Sequence, residues 1–324
     1  MVIVGDGYTA DEQGDFEADA RAGWTQLSQV EPYRSYLGMM NVWMVHAVSQ
    51  DSGVSRDSDT YPGQVQDKAT ALGSYFWCAQ TERLLCVDTN AVKSYAQTVV
   101  VANSTWYGGA GYYRGEGGEL PEDYDLAGIS HYYQAWGEPQ AINLTTFGPG
   151  NGHGEAYLCA NKYKWFRWLG EPDPTGSTVG MYDGGGYFAS SIWGPTETSI
   201  MKSLGSTDFN LPSREAMIAG FYDYGDALTS TAPSGSVIRR NQVLTVDVAE
   251  LTGLAYPSKV TGRVDGREVV RARGRTSVRP SELGVLPATG RHQLSATITD
   301  KTASIRDPEI HQATRTTLIW TVIN

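Results

Sequence analysis

The stretch VIVGDGYTADEQ at residues 2–13 decides how the first part of the chain folds. Three apolar residues, all of them β-branched, form a short strand, and Gly5-Asp6-Gly7 supplies the turn that ends it. Thr9 stands three residues before Glu12, the spacing of a capping box, so a helix is expected to begin there and run through FEADARAGWTQL. Strand, turn and helix in that order form the opening of an α/β layer.

Working outward, NVWMVHAVS at 41–49 and TVVVANS at 98–104 alternate and are rich in β-branched or aromatic residues, with a helical stretch near 89–96 between them. This pattern predicts a sheet with some parallel pairing. YGGAGYYRGEGG at 107–118 reads as a loop, because its glycines offer no side chains to pack. The run 125–200 reads as irregular, and PSREAMIAGFYDYGDAL predicts one further helix at about 213–227. TSTAPSGS at 229–236 has linker composition. Beyond it, VLTVDVAEL, KVTGRVDG, REVVRARG, HQLSATITD and TTLIWTVIN alternate between turn signals. They predict a β-sandwich of immunoglobulin-like type. The expected division is therefore a domain at 1–228, a linker at 229–236 and an all-β domain at 237–324.

The chain has 324 residues, enough for two cores, and a net charge of −11. The charge is uneven: residues 1–234 hold 12 basic against 28 acidic side chains, and residues 235–324 hold 13 against 8. An acidic main body disfavours nucleic acid and anionic membrane as partners. The arginines of the C-terminal part read as solvated strand faces. No apolar run is long enough to span a membrane. The sequence opens already inside a strand and shows no export signal, which leads to the expectation of further residues upstream. Cys78 and Cys86 have a spacing that suits one disulfide across a hairpin-like loop, and hence an oxidising compartment. Cys159 reads as a buried small hydrophobe. The glycine-rich runs lack the register of a phosphate loop.

Several phrases resemble the IgA-cleaving zinc metallopeptidase family: VIVGDGYTADEQ, MNVWMVHAVSQDSGVS, RLLCVD, TVVVANSTWYGGAG, KWFRWLGEP and IWGPTETSIMKSLGSTDFNLPSREAMI. They stand in the family's order across residues 1–225. The resemblance implies a metallopeptidase-like twisted mixed sheet with helices, zinc as cofactor, protein or peptide substrates and secretion. It also implies a zinc site on an H-E-x-x-H helix followed by an acidic D-E-Y group. Histidines four apart grip one metal from one helix face, and the adjacent Glu takes a proton from the bound water. This sequence has no H-E-x-x-H; its five histidines, His46, His131, His153, His292 and His311, are all isolated. Only YYRGEGGEL separates Gly111 from Pro121, and Glu122-Asp123-Tyr124 resembles the D-E-Y group. Glu122 and Asp123 are then the remaining candidate metal ligands, with His153 as a distant third. Met201 in SIMKSLG resembles the family's methionine turn, with a core methionine as the plainer reading.

Three functions follow as expectations. The first is an inactive homologue of a secreted zinc endopeptidase that holds no tight zinc. The second is a binding or adhesion module whose C-terminal sandwich engages a surface glycan or protein. The third is a peptidase whose ligands have been rearranged.

Overall fold

The computed structural model describes residues 1–56, 68–79, 82–86, 98–104, 112–115, 118–121, 141–185, 188–203, 205–251, 259–287 and 289–324. The chain forms two units, Met1–Val30 with Asn41–Asn210, and Glu31–Met40 with Leu211–Asn324. The architecture is mixed α/β, with several small sheets and few helices.

The first unit is organised by a parallel sheet. Its central strand β1 (Val2–Asp6) precedes helix α1 (Gln13–Leu27) and lies between β2 (Trp43–Val45) and β5 (Thr98–Ala102), with Val2 opposite both Trp43 and Thr98. Phe16, Ala20 and Trp24 recur every fourth residue along α1, so one helical face meets the sheet. Phe16 and Ala20 are buried with Ile3 and Tyr8, and Met44, Val99 and Val101 pack around them. Burying Phe16 alone contributes about 2 kcal/mol. Gly5 is required by this contact, since a Cβ there would lie 2.7 Å from Phe16 Cδ2. The expected capping box is present: Thr9 N and Oγ1 both reach Glu12 Oε2 at 2.9 Å.

Two hairpins follow in sequence, one between β2 and β5 and one after β5. The first pairs β3 (Tyr75–Ala79) with β4 (Glu82–Cys86), and the second pairs β6 (Tyr112–Gly115) with β7 (Gly118–Pro121). The second corrects the expected loop at 107–118. Tyr112 and Tyr113 favour strand, and only two residues separate the runs, the commonest hairpin spacing. Downstream, helix α2 (Glu155–Asn161) precedes the antiparallel pair β8 (Tyr182–Gly185) and β9 (Phe188–Gly194). Trp165 is buried there and donates its indole N–H to Gly180 O at 2.7 Å.

The second unit begins with a short helix, Tyr33–Tyr36, and resumes at helix α3 (Leu211–Tyr224). Tyr36, Ile218 and Ile305 form a buried cluster with Met39, Phe221, Tyr222 and Ile310 around it. Its first sheet is antiparallel, β10 (Leu228–Ser230), β12 (Leu244–Val248) and β15 (Ser277–Val278), with β12 central. The second has five strands in the order β11 (Val237–Arg239), β17 (Arg315–Ile323), β16 (His292–Thr299), β13 (Thr261–Val264) and β14 (Arg267–Glu268). Pairing in it is antiparallel except between β11 and β17. A short helix α4 (Pro308–Ala313) leads into β17. One core draws on both sheets: Leu244 and Val246 from the first join Leu294, Ala296, Ile298, Trp320 and Val322 from the second. The period of two along β12, β16 and β17 places these residues on one face of each strand. Asp265 and Gly266 both have positive φ, 48° and 79°, which is the two-residue hairpin turn that an Asp-Gly pair favours.

Arg239, Arg263, Arg267 and Arg315 lie in strands, as expected, whereas a second set departs from that reading. Arg271, Arg273, Arg275 and Arg279 are exposed and lie in the turns and short 3-10 segments around β15, outside the strands.

Candidate functional site

Strand β1 ends on Asp6, whose carboxylate is fully buried. Oδ1 accepts from Leu72 N at 2.9 Å and Ser49 Oγ at 3.3 Å; Oδ2 accepts from Ser74 N at 2.8 Å and Thr70 Oγ1 at 2.9 Å. A carboxylate offers about four acceptor positions, so Asp6 is saturated and has no free lone pair to act as a base. Its work is to tether Ser49 and residues 70–74 to the carboxyl end of the parallel sheet. Gly7 continues the same knot: its N–H donates to Ser49 Oγ, and its carbonyl accepts from Gly53 N at 2.8 Å and Asn103 Nδ2 at 3.0 Å. A side chain at Gly7 would meet Gly53 O at 2.5 Å. A turn residue is what the sequence alone suggests for Asp6. The signal available was its place at the end of a strand buried from Ile3 onward, where a charge must find partners.

Glu12 closes the rim of this knot. Ser52 Oγ donates to Glu12 Oε1 at 2.6 Å, and this bond, with the one from Thr9 N, holds the Glu12 carboxyl below its usual range. Tyr8 is buried and donates to Asp19 Oδ2 at 2.8 Å; burial first, then this carboxylate, push its hydroxyl well above the usual phenol range.

The histidines serve separate local roles. His46 Nδ1 lies 2.9 Å from Gln13 Oε1, its Nε2 lies 3.3 Å from Glu17 Oε1, and its ring meets Phe16 edge-on, which is the ordinary hydrogen-bonded role expected of it. His153 is exposed and packs edge-to-face on Tyr157, with ring centroids 4.5 Å apart, and on Phe147 at 5.2 Å. In the second unit, His292 Nδ1 lies 2.8 Å from Asp265 Oδ2. Among the described residues, no three His, Cys, Asp or Glu side chains are placed together to hold a metal ion. These residues therefore do not assemble a donor set that fits zinc.

Glu122, Asp123 and His131 lie outside the described residues. Met201 stands in the turn that follows Ile200 and is 40% exposed, so the plainer reading of a core methionine is corrected. Cys159 is likewise exposed rather than buried. Cys78 pairs with Arg83 and Cys86 with Tyr75 in the first hairpin. The two cysteines are three ladder steps apart, about 10 Å at roughly 3.3 Å per residue. A disulfide needs Cα atoms within about 7 Å, so a bridge between them requires another register.

The model of the IgA Peptidase M64 family matches residues 1–132, the part of the chain that holds the parallel sheet and the helix laid on it. The phrases KWFRWLGEP and IWGPTETSIMKSLGSTDFNLPSREAMI lie beyond the matched residues. A comparison with curated proteins gives no match.

Proposed function

We propose that this chain is a homologue of secreted zinc endopeptidases that keeps the family's N-terminal scaffold and does not cleave peptides. The observation that carries this reading is the hairpin of β6 and β7. Where the family places its zinc-binding helix, between the glycine-rich loop and the acidic group, this chain has two paired strands over residues 112–121. A stable helix with an apolar face needs about three turns, and no stretch between Gly111 and Pro121 is left for one.

Peptide hydrolysis by this family rests on a metal that lowers the pKa of bound water to about 7 and polarises the scissile carbonyl. Glu122 and Asp123 would offer a metal carboxylate oxygens alone, a donor type better matched to Mg²⁺ or Ca²⁺ than to zinc. The reading extends to an extracellular setting and protein or peptide ligands, both supported by the family. Among the described residues no helix is long and apolar enough to cross a membrane. For the second unit it extends to an immunoglobulin-like sandwich, supported by two sheets that share one core.

The test is incubation of the purified chain with zinc and denatured casein. We expect no cleavage. Cleavage that phenanthroline abolishes would establish rearranged ligands and overturn the reading.

A binding role for the second unit is the second reading. Recognition of sugar rings by stacked aromatics is not supported there, because among the described residues from 237 to 324 Trp320 is the only Phe, Tyr or Trp, and it is fully buried.

A further inference from the structure

The second unit carries a concentration of guanidinium groups on its surface. Arg267, Arg271, Arg273, Arg275 and Arg279 fall within 13 residues, and all are exposed. Arg273 pairs with Glu268, and Arg279 pairs with Glu282 at 3.2 Å. Arg271 and Arg275 have no ion-pair partner among the described residues.

Three of these groups, with Arg240, border one loop. Arg275 and Arg279 line a shallow cleft with Ser277, Glu282 and Leu283. Arg271 Nη1 lies 2.9 Å from where a Cβ on Gly284 would stand. Arg240 donates to Leu286 O at 2.8 Å and to Pro287 O. Residues 280–287 are thus bordered by Arg240, Arg271, Arg275 and Arg279, while their sole acid is Glu282.

We propose that this surface binds an anionic polysaccharide through its sulfate or carboxylate groups. The planar guanidinium matches such groups bidentately, which an ammonium does not. A single small anion on exposed arginines gains little, because solvent screens each pair. A polymer with repeated charges engages several arginines at once, and each later contact is intramolecular. Nucleic acid is the weaker match. Residues 259–289 contain no aromatic side chain on which bases would stack. The assignment is independent of the peptidase ancestry of residues 1–132.

The test uses the full chain and a fluorescent heparin oligosaccharide at physiological ionic strength, read by polarisation. Saturable binding is expected, weakening roughly tenfold when Arg271→Gln, Arg275→Gln and Arg279→Gln are combined. Arg21→Gln, in the first unit, should leave binding unchanged. If the triple variant does not fold by circular dichroism, Arg275→Glu alone tests the same surface and should weaken binding. Three outcomes overturn the proposal: no binding of the oligosaccharide, retention of full affinity in the folded variants, or equally tight binding of a DNA duplex of similar charge.

Discussion

The Tyr36 hydroxyl donates to Asp300 Oδ2 across 264 positions of sequence, inside the second unit. Tyr222 donates to the same oxygen at 3.1 Å, and Thr302 N reaches Oδ1 at 2.9 Å. Asp300 is fully buried, so these donors replace the water it has lost. Burial, followed by the carboxylate's charge, pushes both tyrosine hydroxyls far above their usual range, which keeps them protonated and donating.

Tyr36→Phe removes one donor and leaves the other two. It should lower stability by about 1–2 kcal/mol, and Asp300→Ala, which strands the buried Tyr36 hydroxyl and the partly buried Tyr222 hydroxyl, by about 3 kcal/mol. Urea unfolding of the two variants measures this, and equal costs would contradict the asymmetry.

Asp6→Ala leaves Leu72 N and Ser74 N, both at buried positions, without their acceptor. A loss of about 3 kcal/mol is expected, with faster amide exchange concentrated at residues 70–74. Exchange that rises evenly over the whole first unit would instead mean that Asp6 acts on general stability.

His292 and Asp265 make stability depend on pH. The hydrogen bond to Asp265 raises the His292 pKa above its ordinary 6.5, and bonds from Gln293 N and His292 lower the Asp265 pKa below its ordinary 3.8. The histidine's contribution is therefore complete below about pH 6.5 and is lost as pH rises through the raised folded value. The aspartate's contribution is present above about pH 4 and is lost as pH falls through the lowered folded value. His292→Gln should reduce Tm more at pH 5.5 than at pH 8.5, whereas an equal reduction at both would show that the pair does not titrate in this way.

In the observed register Cys78 and Cys86 stand too far apart to bridge. Ellman titration of the denatured, unreduced protein should therefore count three thiols, and Cys159, being exposed, should react first in the native state. A count of one would place Cys78 and Cys86 in a disulfide and move the hairpin.

The parts of the fold that depend on neighbouring residues were legible. VIVGDG, the Thr9 and Glu12 cap and the four-residue spacing of Phe16, Ala20 and Trp24 each carry their own instruction, as does the Asp265-Gly266 turn. The helix expected at about 213–227 runs over Leu211–Tyr224; Pro212 is tolerated in its first turn, and Gly225 ends it. What stayed hidden depends on distant partners. Nothing local marks Asp6 as a tether for Leu72 and Ser74, nor assigns Glu31–Met40 to the second unit. The arginine surface was hidden for another reason: alternation of residues cannot tell a strand face from the turns beside it. At the candidate metal site, the lack of paired histidines could be read from spacing alone, since that geometry belongs to a single helix.

The clasp between Tyr36 and Asp300 also sets a timetable for biosynthesis. At about 5–20 residues per second, the ribosome needs roughly 13–50 s after releasing Tyr36 to deliver its acceptor 264 positions later. Until Ile218 and Phe221 emerge, Tyr33, Tyr36 and the methionines beside them have no core to enter, and the carboxylate that completes the clasp arrives later still. The nascent chain thus displays a largely apolar decapeptide to chaperones and proteases over that time.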